Sequence, residues 1–323
     1  MAELELKVTQ VKDLTPTIKM FELVAADGGQ LPAFQAGAHI DISTPNGVRS
    51  YSLANDPKER HRYVTAILKE HGGRGGSRWM HENLKVGDVI KSTEPIQNFP
   101  LVESAPKSLL LGGGIGITPL LAMSHRLKDI GGDFHLYYCT RAAADTAFYD
   151  EVKALLGDRV TFYHDGGDPS KGINLKQVFA SRPHAAHLYV CGPAGLLRAV
   201  RDATSHWPES SVHFELFASS LSDEERAVNA AKVNAPFEIQ LAQSGETFTV
   251  PADRTILDVL LDNGYGLPYA CEDGWCGACT IGLVSGKADH RDEFLSDADK
   301  KANNKIQVCV SRALPGEKLV LDM

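Results

Sequence analysis

Residues 271–280 read Cys-Glu-Asp-Gly-Trp-Cys-Gly-Ala-Cys-Thr, and residues 305–312 read Lys-Ile-Gln-Val-Cys-Val-Ser-Arg. Cys271, Cys276 and Cys279 therefore stand at C-x4-C-x2-C spacing, and Cys309 follows about 30 residues on at the end of an apparent strand. Three thiolates on one tight loop with a fourth from a strand is the spacing of a plant-type two-iron, two-sulfur (2Fe-2S) site. Gly274, Gly277 and Ala278 suit such a loop, because small residues let backbone N–H groups approach the sulfurs. Zinc is the competing reading. Its ligands usually come as paired C-x2-C units or beside histidines, whereas here the fourth cysteine stands alone and no histidine adjoins the first three.

Outward from this loop the chain changes grammar twice. Phe237–Leu241 and Thr247–Val250 alternate as a hairpin, and Ile256–Asn263 has helical spacing. Upstream, Ser219–Pro236 (SSLSDEERAVNAAKVNAP) is small, polar and without strand pattern, and reads as a linker. Before it, strands alternate with helices. Ser108–Leu111, Phe134–Cys139, Val160–His164 and His187–Cys191 are strands, and Ala147–Leu156 and Ala194–Ser205 are helices. A further helix opens with Thr118 as N-cap and Pro119 at its first position. This order predicts a parallel α/β sheet. The first hundred residues instead give short strands divided by turns: Glu5–Val11, Ile18–Leu23, Ala38–Ser43, Val48–Leu53, Tyr63–Ile67 and Asp88–Ser92. With one helix at Gly76–Asn83, that is the pattern of an antiparallel β-barrel. The expected organisation is multidomain: a barrel at 1–102, an α/β parallel-sheet nucleotide domain at 103–225, a linker at 226–236 and an α+β domain at 237–323.

Composition bounds the function. A chain of 323 residues can build several cores. With 43% hydrophobic and 23% charged residues and a mean hydropathy of -0.18, it is of the ordinary soluble class. A net charge of -8 argues against nucleic acid or an anionic membrane as partner, since both need a basic face. The N-terminus MAELELKVTQ lacks an export pattern, and the most apolar window, Ser108–Met123, is broken by four glycines and Pro119. A cytoplasmic location follows as the expectation, in which the six cysteines are metal ligands or buried thiols and not disulfides.

Two other constellations carry chemistry. Arg49-Ser50-Tyr51-Ser52 ends a barrel strand, and Gly72-Gly73-Arg74-Gly75-Gly76-Ser77 opens a helix. An arginine, hydroxyls and a glycine-rich helix N-terminus together make a phosphate site, although each piece alone is more often a sheet edge or a turn. In the α/β region, Gly112-Gly113-Gly114-Ile115-Gly116-Ile117-Thr118-Pro119 joins a buried strand to a helix, and Cys191-Gly192-Pro193 ends a second strand. The first is not a Rossmann fingerprint, because Ile117 stands where the third glycine of G-x-G-x-x-G belongs. Two glycine turns at neighbouring strand ends nevertheless predict a crevice for a flat dinucleotide.

These motifs, in this order and across nearly the whole chain, resemble the ferredoxin-NADP reductase superfamily and, within it, the phthalate dioxygenase reductase family. RSYS, GGRGGS, GGGIGITP, CGP, C-x4-C-x2-C…C, ADHRD (Ala288–Asp292) and the closing VCVSR and LVLDM carry the resemblance. It implies an FMN barrel, an NADH domain and a C-terminal ferredoxin-like (β-grasp) domain. Arg49, Ser50, Tyr51 and Ser52 would line FMN, with Ser52 near the reactive ring nitrogen. Backbone around Ile67 and the turn Arg74, Gly75, Gly76, Ser77 would hold the phosphate end. Thr118 would lie close to the flavin ring and Phe217 would cover it. Gly114, Thr140, Arg141, Asp165, Cys191, Gly192 and Pro193 would line the nucleotide site. Ser52, Thr118 and Cys191 are the residues expected at the reacting centre, and Cys139 is expected to be a packing thiol. The chain departs from the family pattern at Leu68, where a lysine is common, and at Ala218, where a glycine is common. NADH is preferred to NADPH, because no basic cluster follows Thr140-Arg141 and Asp145 and Asp165 suit ribose hydroxyls.

The function so implied is the reductase component of a two-component Rieske-type aromatic-ring dioxygenase. NADH gives two electrons as hydride, a 2Fe-2S cluster takes one at a time, and the flavin converts between them. The partner is a Rieske-type oxygenase component, and the chain is expected to act as a monomer. A reductase for a vanillate- or quaternary-amine-type demethylase is the nearest alternative, and a ferredoxin-like carrier with an inert flavin module is a third reading. Residues 237–323 hold 14 Asp and Glu against 8 Lys and Arg, a net -6 of the chain's -8, which points to docking on a basic patch.

Overall fold

The first seven strands of the chain pair antiparallel into one sheet. The computed structural model describes residues 3–70, 75–216, 235–269, 274 and 277–323. The chain divides into two compact units, Met1–Phe217 and Ala218–Met323.

In the first unit the strands are β1 (Glu3–Asp13), β2 (Ile18–Ala25), β3 (Ala38–Thr44), β4 (Gly47–Ser52), β5 (Tyr63–Leu68), β6 (Val89–Thr93) and β7 (Ile96–Gln97), with helix α1 (Gly76–Asn83) after β5. Their order is β4-β3-β6-β1-β2-β5, with β7 on β3. The sheet then curls until its two ends meet. Leu53 bridges Thr65, and the Ala54 N–H donates to the Val64 carbonyl at 2.8 Å. Inward residues such as Leu6, Val8, Phe21, Leu23, Ile40 and Ile42 are fully buried, each contributing about 1.5–3 kcal/mol of transfer energy. α1 lies across the seam, its His81 ring N–H donating to the Ile67 carbonyl at 2.7 Å.

The parallel sheet of the same unit contains β8 (Ser108–Gly113), β9 (Phe134–Thr140), β10 (Val160–His164), β11 (His187–Cys191) and β12 (Val212–Glu215). Its helices are α2 (Ile117–Asp129), α3 (Tyr149–Leu156), α4 (Leu175–Val178) and α5 (Ala194–Ala203). The order is β10-β9-β8-β11-β12. The chain winds outward from β8 to β10 and then returns to the other side of β8, so the switch point lies between β8 and β11, where such sheets bind ligands. β9 alternates cleanly: Phe134, Leu136 and Tyr138 join the core shared with the barrel, while Tyr137 and Cys139 face the second core.

Two helix starts differ from the sequence expectation. Thr118 is not an N-cap: a 3-10 turn, Gly114–Gly116, runs directly into α2 with Gly116 in the capping position. The Thr118 hydroxyl donates back to the Ile115 carbonyl at 3.1 Å, so it satisfies an acceptor and caps no N–H. α3 begins at Tyr149 and not at Ala147, because the buried Phe148 takes a left-handed conformation with φ 57° that a helix cannot contain.

The second unit holds β13 (Phe237–Leu241), β14 (Thr247–Val250), β15 (Thr280–Ser285), β16 (Ala288–Asp289), β17 (Lys305–Gln307), β18 (Arg312–Ala313) and β19 (Leu319–Leu321), with α6 (Ile256–Asp262) and α7 (Asp297–Ala302). Five strands form a mixed sheet, β14-β13-β19-β15-β17, in which β13 and β19 run parallel. α6 buries Ile256, Leu257 and Leu260 and starts at a capping box between Thr255 and Asp258. Arg312, 5% exposed, donates to the carbonyls of Arg254, Pro251 and Ala235 and lies over the Phe237 ring. It thus ties β18 to the residues that flank β13 and β14. Most of the expected linker lies outside the described residues. Among those described, no helix is long and apolar enough to cross a membrane.

Candidate functional site

In the barrel, β4 pairs with β3 so that Arg49 faces Ile42 and Tyr51 faces Ile40. Arg49 donates to the carbonyls of Val48 and Asn46 at 2.6 and 2.8 Å, which turns its side chain along the start of α1. A Cβ at Gly76 would lie 2.8 Å from Arg49 Cγ and 2.9 Å from Nε, and one at Gly75 would lie 2.6 Å from Asn46. Only glycine admits that approach, and Gly75 also has φ 84°. A guanidinium is therefore packed against the positive end of a helix with no acidic residue in its first turn. That arrangement wants an anion, and the phosphate of FMN fits it. Tyr51 adds a second sign of fit: its hydroxyl is buried without a hydrogen-bond partner among the described residues, and burial pushes its pKa up to about 12.

The other barrel residues divide. Ser77 Oγ accepts the Glu70 N–H at 3.2 Å and so ties the first turn of α1 to the end of β5. The Ile67 carbonyl is taken by His81, so Ile67 positions α1. Ser50 donates to Asp41 on β3, an exposed pair, and does not join Arg49. Arg74 and Phe217 lie outside the described residues.

Ser52 is buried, and its hydroxyl lies 3.5 Å from Glu215 Oε2 at the end of β12. Cys191, fully buried at the end of β11, directs its thiol to the same oxygen at 3.9 Å. One carboxyl thus joins the barrel to the parallel sheet. Burial raises its pKa to about 8 against the hydrogen bonds from Ser52 and Cys191, and the Cys191 thiol is pushed well above its ordinary range by burial and by Glu215. Burial thus favours the protonated form of both groups at this junction. Glu215 was not singled out from the sequence. Its one signal is an acid closing a short strand, VHFE, in the sheet that carries the switch point.

At the switch point the two glycine turns touch. Cβ atoms built at Gly116 would come within 2.1 Å of the Cys191 carbonyl, and at Gly113 within 2.8 Å of Pro193. The two turns are thus in close backbone contact, Gly113 against Gly192 and Gly116 against Cys191. Gly114 has φ 54°, and its carbonyl accepts the Tyr138 hydroxyl at 3.0 Å. Gly192 and Pro193 lead into α5, with Pro193 as its N-cap. On the other flank, the Asp165 and Gly166 N–H groups donate to the carbonyls of Thr140 and Arg141, which brings Arg141 and Asp165 together at the ends of β9 and β10. The Thr140 hydroxyl is engaged internally with Thr146 and His164. Cys139 is half-buried, and burial raises its thiol to about 12, as suits a packing residue.

In the second unit, Cys279 and Cys309 are 2% and 3% exposed with their sulfurs 3.0 Å apart. Cys271 and Cys276 lie outside the described residues. Gly274 and Gly277 have φ near 76° and 78°, and Cβ atoms there would strike Val310 at 2.6 Å and the Phe294 ring at 2.2 Å. Gly274 is therefore packed against Asp292 and Val310 and Gly277 against Phe294, with the Glu293 N–H donating to the Gly274 carbonyl. A buried all-sulfur donor pair enclosed in this way suits a thiolate-held cluster.

Comparison with known proteins agrees with this geometry. Residues 239–314 match the family described as a 2Fe-2S iron-sulfur cluster binding domain, and residues 110–202 match an oxidoreductase NAD-binding domain. The chain is 43% identical to a phthalate dioxygenase reductase of Burkholderia cepacia, over 99% of this chain and 97% of that protein. It is 39% identical to a vanillate O-demethylase oxidoreductase of a Pseudomonas strain, over 99% of this chain and all of that one. A solved structure of phthalate dioxygenase reductase, described as a modular structure for electron transfer from pyridine nucleotides to [2Fe-2S], superposes with a TM-score of 0.69 at 42% identity, covering 100% of this chain and 98% of that one.

Proposed function

Since this chain belongs to the phthalate dioxygenase reductase family and is an NADH-dependent oxidoreductase of the FMN and 2Fe-2S type, we propose that it is the reductase component serving a separate Rieske-type aromatic-ring dioxygenase of the phthalate kind. The observation that carries this reading is the meeting of Ser52 and Cys191 on Glu215, which couples the flavin side of the unit to its nucleotide side. The chemistry supplied by the bound groups is conversion of a hydride into two single electrons.

The chain's own residues do the placing. Arg49 and the N-terminus of α1 would hold the FMN phosphate, and Tyr51 would give its unpartnered hydroxyl to the flavin. Thr118, Gly114, Cys191, Gly192 and Pro193 would present the nicotinamide across the touching turns, while Arg141 and Asp165 would take the far ribose. Cys271, Cys276, Cys279 and Cys309 would hold the cluster. The division at 102 is supported by the change from antiparallel to parallel pairing between β7 and β8.

Anaerobic titration with NADH tests the reading: flavin bleaching should precede cluster reduction, and the reduced protein should discharge into a Rieske oxygenase component. Purified protein without flavin would leave only a ferredoxin-like carrier and would sink the proposal. A second reading, service to a vanillate-type demethylase, is favoured by the 39% identity that spans that whole relative. The two are separated by which oxygenase component the reduced protein turns over.

A further inference from the structure

Gln307 is a fully buried amide beside a cluster ligand. It sits at the end of β17, paired with Thr280 of β15, two residues before Cys309. Its Oε1 is 3.1 Å from Cys279 Sγ, and its Nε2 donates to Thr280 Oγ1 at 2.6 Å. The Thr280 hydroxyl in turn donates to the Gly277 carbonyl at 2.6 Å. This order of donors is right for a thiol, whose S–H needs an acceptor. A metal ligand is a thiolate, which can only accept, and a carbonyl oxygen facing it would place two acceptors in contact.

Turning the amide over exchanges its nitrogen and oxygen with almost no movement of heavy atoms. The nitrogen then donates to Cys279, the oxygen accepts the Thr280 hydroxyl, and the Gly277 carbonyl is still satisfied by the Thr280 backbone N–H at 3.1 Å. Every group in the relay retains a partner.

We propose that Gln307, held by Thr280, donates an N–H···S hydrogen bond to Cys279 when the cluster is bound and thereby sets the cluster's reduction potential. Gln307 is a positioning residue and not a ligand. A donor to a ligand sulfur favours the state with more negative charge, so the bond raises the potential. The inference rests on Cys279 and Cys309 being cluster ligands.

The test is a redox titration of the holoprotein followed by electron paramagnetic resonance. Gln307→Met keeps the volume and removes the donor. It should hold the cluster and shift its potential downward by about 59 mV, a tenfold fall in the one-electron equilibrium constant. Thr280→Val should shift it in the same direction and Thr280→Ser should restore it. In wild-type protein with 15N in the glutamine side chains, the reduced cluster should show a nitrogen hyperfine coupling that Gln307→Met lacks. An intact cluster at unchanged potential in Gln307→Met would overturn the proposal. If that variant cannot hold the cluster, Thr280→Val decides, and an unchanged potential there overturns it equally. Wild-type protein without cluster absorbance would instead remove the ligand reading and this proposal with it.

Discussion

Gly116→Ala is the smallest change that should separate the two halves of the hydride-transfer site. Gly116 has φ -62°, which alanine adopts freely, so the substitution is purely steric. The added Cβ would stand 2.1 Å from the Cys191 carbonyl oxygen, 2.4 Å from its carbon and 2.8 Å from the Gly192 nitrogen. Ordinary contact begins at 3.4 Å, so backbone must part by about 1.3 Å, and no side-chain end is available to swing aside. Overpacking of this kind costs about 1–3 kcal/mol. The displacement falls on Cys191, whose thiol already reaches Glu215 at the limit of contact, 3.9 Å. Misplacing reacting groups by about 1 Å can cost about 100-fold in rate. Anaerobic stopped-flow mixing with NADH should therefore show flavin bleaching slowed by about that factor, with FMN and cluster content retained. The control is Gly195→Ala on α5, where a Cβ meets nothing within 4 Å, and alanine there should leave the rate unchanged. Bleaching of Gly116→Ala at the wild-type rate and NADH affinity would refute the reasoning, as would an equal loss in the control.

Glu215, with its pKa raised to about 8 from an ordinary 4.5, binds its proton more tightly in the folded chain. Its contribution is present at low pH and is lost as pH rises from about 4.5 through 8, at up to about 1 kcal/mol per unit. Glu215→Gln should flatten that descent in melting temperature against pH, and an identical slope would show that Glu215 ionises normally. Arg49→Ala should release FMN on gel filtration, by about tenfold or more in affinity, since a charge-assisted contact to phosphate is lost. Unchanged flavin content would remove Arg49 from the site. The net charge of -6 over 237–323 predicts that reduction of the oxygenase slows by about tenfold from low to high ionic strength while NADH oxidation by a two-electron acceptor does not. Equal rates at both salts would remove electrostatic steering.

What could be read from the chain was local, and what could not was set by distant contacts. Turn residues and alternation place β10, β11, β13, β14 and α1 at their observed limits, because each of these elements is bounded by its own breakers. The closing bridge from Leu53 to Thr65 has no such sign, since one pair of residues leaves no period. Phe148 shows the same limit: an aromatic in a left-handed turn contradicts its own propensity and is held there by burial. The site repeats the pattern. Glycines at 75, 76, 113 and 116 look like ordinary turns, and their tight approaches become visible only when Asn46, Arg49, Pro193 and the Cys191 backbone are in place. Glu215 and Gln307 were missed for a related reason. Each is a single polar residue at the end of a short strand, a position where solvent usually satisfies it. Ser52 lies 163 positions from Glu215, and Cys279 lies 28 from Gln307. Motif spacing singles out candidate ligands such as Cys271, Cys276 and Cys279, because a small cluster would crowd them into one loop. Residues that adjust those groups arrive from other strands, and a buried polar atom without water is the mark by which a structure reveals them.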